Sequence, residues 1–214
     1  MILTHGANSL PWAVVEDFVE IGGHSYPVVQ IGNQLWIAEN LDYKFDVNGS
    51  QIPVGGSGQP TTPHAWYYDN NEAMYGIDGT YKCGLMYNWY ATDYLEQNKS
   101  TLLPDGWHVP SKTEWQTLLT TAGGDSVALP KIKALDNSIT SNWPSGWNGT
   151  DDYGFKLLPG GSGFSDIGNR ATLWTATVDD DRYAWNLDVW SSTIGFYISQ
   201  KYNCYSIRLV KNVT

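Results

Sequence analysis

The sequence predicts one α+β domain with a long, loop-rich middle, and three observations predict it. Charged residues make up only 16% of the 214 residues, below the roughly one quarter usual in globular domains. Helices carry Glu, Lys and Arg on their wet faces, so this scarcity argues for few of them. The 22 glycines and 10 prolines argue for many turns. Finally, a full set of helix signals occurs once, around residues 110–124, whereas aromatic and β-branched runs toward both ends read as short strands. The chain is long enough to bury a sizeable core.

Residues 1–20 read as a leading segment, strand or short helix, for docking or oligomerisation. Its Trp12, Val14, Val15 and Phe18 need an apolar partner, either the domain itself or another subunit. The main domain is expected over 21–214. From Ile21 to Leu41 two short strands flank Gly32-Asn33, a good hairpin turn. Residues 44–65 are rich in Gly, Pro, Ser and Thr, a loop too long for a plain connector. The aromatics from Ala65 to Thr92 follow no period, with a short strand or helical turn near Leu85–Tyr94.

The clearest helix is "PSKTEWQTLLTTAGG". Ser111 stands three residues before Glu114, the spacing of a capping box. Trp115, Leu118, Leu119 and Ala122 form one apolar stripe, and Gly123-Gly124 ends it. A weaker helix covers Ser126–Leu135, interrupted by Pro130. After Gly- and Trp-rich loops come four strands: "ATLWTAT", "RYAWNLDV", "IGFYISQ" and "YSIRLVK".

Several function classes are disfavoured. The net charge of -10, with no basic stripe, repels nucleic-acid phosphates. No run of about 18 apolar residues is present to insert in a bilayer. The first residues lack the charged and apolar regions of a signal peptide, so if the protein acts outside a cell it is expected to get there without the general secretory route. Cys83 and Cys204 form no CxxC; two free thiols fit better than a bridge, which stays open. The four histidines, His5, His24, His64 and His108, lie out of one another's local reach. No GxSxG, P-loop or HExxH occurs. The "GGSG" stretches at 55–58 and 160–163 lack the strand-to-helix setting of a phosphate cradle. The carboxylates at Asp151-Asp152, at Asp179–Asp181 and in Asp69–Gly79 read as solvated acidic turns rather than calcium sites. No catalytic residue, metal or cofactor is therefore expected.

The C-terminal quarter is different. From Leu173 to Tyr205, eight of 33 residues are aromatic and six are Ser or Thr. Rigid rings among small hydrogen-bonding residues are the mixture of a binding surface. Trp174, Trp185, Ile207 and Leu209 are expected in the core. Tyr183, Leu187, Val189, Trp190, Phe196 and Tyr197 exceed what one strand face needs, and are expected to face a ligand.

The segments "VQIGNQLWIAENLDY", "GLMYNWYAT", "LPDGWHVPSKTEWQTL", "YGFKLLPGG" and "YSIRLVK" resemble the Fibrobacter succinogenes major paralogous domain family, from about Gly22 to Asn212. "GWHVPSKTEW" is also similar to a segment of formylglycine-generating enzymes. This implies a C-type-lectin-like fold, a small twisted antiparallel sheet with two helices and long loops. The oxidase activity does not carry over, because Cys204 has no cysteine near it. Calcium-dependent sugar binding does not either: the EPN, QPD and WND motifs are missing, and Trp147-Asn148 is followed by Gly149.

The chain end further resembles the variable proteins of diversity-generating retroelements, with Ser206-Ile207-Arg208 as the fixed strand after a variable region at 173–205. That resemblance implies contact positions at Val178, Arg182, Tyr183, Leu187, Val189, Trp190, Ser191, Ser192, Thr193, Gly195, Phe196, Ser199 and Cys204, which join Tyr197 from the composition reading. It implies a receptor-binding component of a phage tail or virion. The partner would be a cell-surface protein or glycan receptor, and residues 1–20 would attach to the particle or build a homo-oligomer. A fixed-sequence bacterial adhesin or polysaccharide-binding domain is the alternative.

Overall fold

The computed structural model describes residues 18–67, 83–135, 143–144 and 146–213. The first sheet begins with β1 (Phe18–Ile21), β2 (His24–Ile31) and β3 (Gln34–Ile37), all antiparallel. The β2–β3 turn falls at Gly32-Asn33, as the sequence predicts. Gly32 has φ 61 and Asn33 stays out of the left-handed region, the pattern of a II′ hairpin turn with glycine first. Phe18–Glu20, assigned to the leading segment from sequence, are thus part of a sheet, whereas Trp12, Val14 and Val15 lie outside the described residues. The 44–65 loop is packed rather than free. It carries the small hairpin β4 (Asp46–Val47) and β5 (Ser50–Gln51), and buries Phe45 and Ile52.

Next come β6 (Ala65–Trp66), β7 (Met86–Asn88), α1 (Trp89–Gln97) and α2 (Lys99–Leu102). Asn88 caps α1 by accepting from the Ala91 amide at 3.0 Å. The predicted helix is α3 (Lys112–Thr121), with both halves of its capping box formed by Ser111 and Glu114. Its stripe of Trp115, Leu118, Leu119 and Ala122 is buried. The weaker one is α4 (Asp125–Ile132), which keeps Pro130 inside. The chain then builds an antiparallel sheet from β8 (Ala171–Val178), β9 (Tyr183–Val189) and β10 (Ile194–Gln200), and ends with β11 (Cys204–Tyr205) and β12 (Val210–Asn212).

Among the described residues there are twelve strands in four sheets and only four helices, none longer than ten residues. The architecture is mostly β, which corrects the α+β, C-type-lectin-like fold expected from the sequence. The physical reason lies in the punctuation. Helix α3, at ten residues, is the longest; α1 stops at Asn98, α2 stops before Leu103-Pro104, and α4 is only eight residues long with Pro130 inside it. The loop-rich segments meanwhile find strand partners far away in sequence.

The closing segment shows how. "YSIRLVK" is not one strand. Cys204-Tyr205 pairs with β7, Ser206 bridges Leu173 of β8, and Val210 pairs with Trp36 of β3. Nine residues thus stitch three sheets together. At the centre, Arg208 is wholly buried. It donates to Asn40 Oδ1 at 2.7 Å and to the carbonyls of Ile37, Phe155 and Lys156. Burial depresses its pKa to about 9, against the opposing fields of Glu39 and Asp151. Two apolar clusters flank this stitch. One packs α3 and α4 under β9 around Trp36, Trp115 and Phe155; the other joins the β1–β3 sheet to α1, Ile207 and Leu209.

Candidate functional site

Side chains alternate across a strand, so the β8–β9–β10 sheet has two faces. The inner one points at α3 and α4. Leu173, Leu187 and Val189 are fully buried there, with Ile194 and Phe196 packed at the edge. Farther along the same face Trp185 is half-buried, with Lys112 Nζ 3.2 Å from its ring centroid.

The outer face carries polar side chains from the intervening positions. Asp188 is buried, accepting from Arg170 Nε at 2.5 Å, Arg170 Nη2 at 2.9 Å and Thr172 Oγ1 at 2.9 Å. Burial opposes the Arg170 charge, but the Asp188 carboxylate outweighs it and raises the pKa above the ordinary value. The Trp190 indole donates to the same carboxylate at 3.0 Å, and the guanidinium of Arg170 lies 4.8 Å from its ring. Alongside runs a second network. Asn186 donates to the Tyr197 carbonyl and to Ser199 Oγ, Tyr205 donates to the same Ser199 oxygen, and Asn203 donates to the Tyr205 hydroxyl. Trp174 packs beneath Tyr205 at 4.5 Å between ring centroids. On this satisfied floor, Trp190 is 37% exposed and Tyr197 58% exposed.

Tyr205 also joins the face to a groove of about 380 Å³, lined by Gly58, Gln59, Trp66, Ser162, Gly163, Phe164, Tyr202, Asn203, Cys204 and Tyr205. Both "GGSG" stretches reach its wall, through Gly58 and through Ser162-Gly163. None of the lining residues carries a formal charge at neutral pH, and burial pushes the Cys204 thiol up to about 12. Among the described residues no group of three or more His, Cys, Asp or Glu could hold a metal. The His108 ring bonds the Gly106 carbonyl and Glu114. The Asp69–Gly79 stretch falls outside the described residues.

The predicted contact residues therefore divide. Val178, Arg182, Trp190, Ser192, Thr193 and Tyr197 are exposed, and Tyr183, Ser191, Gly195, Phe196 and Ser199 are half-buried. Leu187 and Val189 are buried and offer nothing to a ligand, and Cys204 is buried in the groove wall rather than on the sheet face. Leu187 and Val189 point inward because they share a face with the core residue Leu173, and Cys204 is held in a strand against Trp66 and Met86. Sequence reasoning missed Arg170, Thr172, Asn186, Asp188 and the groove. A signal for two of them was present: Asn186 and Asp188 alternate with Leu187 and Val189, so the outer face is the polar one.

A family model for the Fibrobacter succinogenes major domain matches residues 29–211. The chain belongs to that family. No curated protein and no solved structure matches it. The matched span of this Fibrobacter succinogenes major domain holds the Arg208 stitch, α3 and the whole outer face. It also holds the groove, while β1 and the residues before it precede the match. No helix of the described residues is long and apolar enough to cross a membrane.

Proposed function

We propose that this domain is a ligand-binding protein, and that the outer face of β8–β9–β10 contacts a receptor, protein or glycan, on a cell surface. The observation that carries this reading is the pair of exposed rings, Trp190 and Tyr197, over hydrogen bonds that are already satisfied. A rigid ring on a pre-paired floor loses little freedom on binding, and aromatic anchors dominate contact energies. The ionisable groups beneath them, Asp188 and Arg170, are spent on each other and on positioning Trp190, which suits recognition rather than turnover.

In the fuller form of this reading the protein sits on a phage tail or virion, or acts outside the cell after lysis. A retroelement would diversify its exposed positions, among them Val178, Arg182, Trp190, Ser192, Thr193 and Tyr197. The buried Leu187, Val189 and Cys204 would then belong to the frame, because rewriting a core position costs stability. The gene's surroundings test this part: a template repeat differing at adenines beside a reverse transcriptase supports it, and its absence leaves a fixed-sequence adhesin. The uncharged, ring-lined groove favours a glycan as that adhesin's ligand. The binding itself is tested with Trp190→Ala/Tyr197→Ala on whole cells of candidate hosts. Loss of cell binding by a folded variant is expected; undiminished binding removes the face from the reading.

A further inference from the structure

Among the described residues no strand pairs with the outer edge of β10. Hydrogen bonds from the Trp190 amide to the Thr193 carbonyl (2.8 Å) and from the Lys201 amide to the Arg182 carbonyl (2.9 Å) fix the ladder's phase. With the register Gly195↔Asp188, Tyr197↔Asn186 and Ser199↔Ala184, the odd-numbered residues bond to β9. Ile194, Phe196 and Ile198 therefore turn their N–H and C=O groups away from it. None of these groups has a partner among the described residues. Gln200 faces the same way, but its carbonyl already accepts from the Asn203 amide.

Natural edge strands are shielded by charge, proline, a bulge, shortness or a cover. At the opposite side of the same sheet, β8 is covered, because Ala171 bridges Gly161 and Leu173 bridges Ser206. At the first sheet's free edge, β1 is four residues long and carries Glu20. β12 is met by His108. Among the described residues the β10 strand has none of these devices along its backbone edge, α4 lying against its inner face. It is seven residues, IGFYISQ, without charge or proline and with a regular register, and it shows Tyr197 and Ile198 to solvent.

We propose that β10 pairs antiparallel with β10 of a second copy of this chain, about a two-fold axis through Phe196. The occupant follows from self-complementarity. The free groups at 194, 196 and 198 are centred on Phe196, so a two-fold there matches every donor with an acceptor. Ile194 then meets Ile198 of the partner subunit, and Phe196 meets its own copy. Tyr197 falls opposite Gly195 of the partner subunit, and each Tyr197 ring already lies over the Gly195 of its own strand, so the ring stays on the outer face and clear of the paired backbones. No charge on either strand opposes the contact, although each chain carries a net charge of -10. A two-fold of this kind stands perpendicular to the sheet and keeps both outer faces on one side. The product is one six-stranded sheet that presents Trp190, Arg170 and Tyr197 twice, and two linked sites bind a surface with avidity. The pairing itself does not depend on the ligand reading.

The test is the solution mass of the full chain by light scattering and sedimentation, across a concentration series. A dimer is expected, with amide exchange at 194, 196 and 198 slowing as it forms. Ile198→Lys places a charge on the edge at a half-exposed position, and should halve the mass while the urea midpoint stays near wild type. Trp190→Ala should remain dimeric, so loss of ligand and loss of pairing are separable. A wild-type monomer at every concentration overturns the proposal. So does a dimer that survives Ile198→Lys, which would assign the contact to another surface. Fast exchange at the three amides in a dimer also overturns it. A monomer that protects those amides only when an extended peptide is added would give the edge to a foreign strand instead.

Discussion

The two faces of the β8–β9–β10 sheet are built from one run of residues and differ in what they require. Inward, Leu187 and Val189 lie in the apolar cluster that includes α3 and α4. Outward, one position along, Asp188 orients the Trp190 indole, while Asn186 donates to the Tyr197 carbonyl and to the Ser199 hydroxyl that also accepts from Tyr205. The difference teaches that residue type did not decide exposure in this quarter of the chain. Strand phase did. A Leu and a Trp three residues apart were equally plausible contacts by composition, and one is wholly buried while the other is open.

The comparison breaks most visibly at Leu187. Leu187→Ala removes a fully buried side chain between the sheet and α3, and should cost about 2–5 kcal/mol. Urea denaturation should show a much lower midpoint. A near-neutral result would mean that the inner face is not core. Asp188→Ala comes next. It strips Arg170, Thr172 and Trp190 of a shared acceptor, and leaving such partners unpaired costs about 1–3 kcal/mol. Here the near-ultraviolet circular dichroism of the Trp190 indole should change along with the midpoint, which separates an orienting role from simple packing.

Helix α3 supports the inner face only, so its N-terminus offers a pH test that should leave the outer face alone. For Glu114, burial works upward, but hydrogen bonds from His108, from the Ser111 amide and from Asn212 outweigh it and bring the pKa to about 2 from 4.5. Its contribution is therefore complete above pH 4.5 and is lost as pH falls toward about 2. For His108, burial works downward, but the bonds to Glu114 and to the Gly106 carbonyl hold its pKa above 6.5. Its contribution is complete below 6.5 and is lost as pH rises through the folded value. The pair should add most stability between pH 4.5 and 6.5. In Glu114→Gln the urea midpoint should lose both limbs of that dependence, with Trp190 fluorescence unmoved.

What could be read from the sequence was local. The II′ turn at Gly32, the Ser111–Glu114 box and strands β8, β9 and β10 each rest on neighbours within a few residues. What could not be read was set by distant pairing. Cys204 looks like a turn residue until β7 claims it, and Ser206 to Val210 look like one strand until β8 and β3 divide them. The outer face had the same difficulty. Asp188 becomes a buried acceptor only because Arg170, 18 residues earlier, folds back onto it. The groove is harder still, since Gly58, Ser162 and Tyr205 meet only in three dimensions.

The smallest stability effect sharpens the comparison most. Trp190→Ala/Tyr197→Ala takes two large rings from the outer face. Substitutions at exposed positions usually stay within about 0.5 kcal/mol each, and Asp188 keeps its bonds to Arg170 and Thr172 when the indole leaves. The urea midpoint should therefore barely move, in contrast to the large fall for Leu187→Ala on the other side of the same strands. Both variants should be measured in one buffer with cell binding read in parallel. Binding lost at constant stability assigns the rings to a ligand. A midpoint that falls as far as that of Leu187→Ala would instead make the outer face a second core, with the exposed rings its incomplete cover.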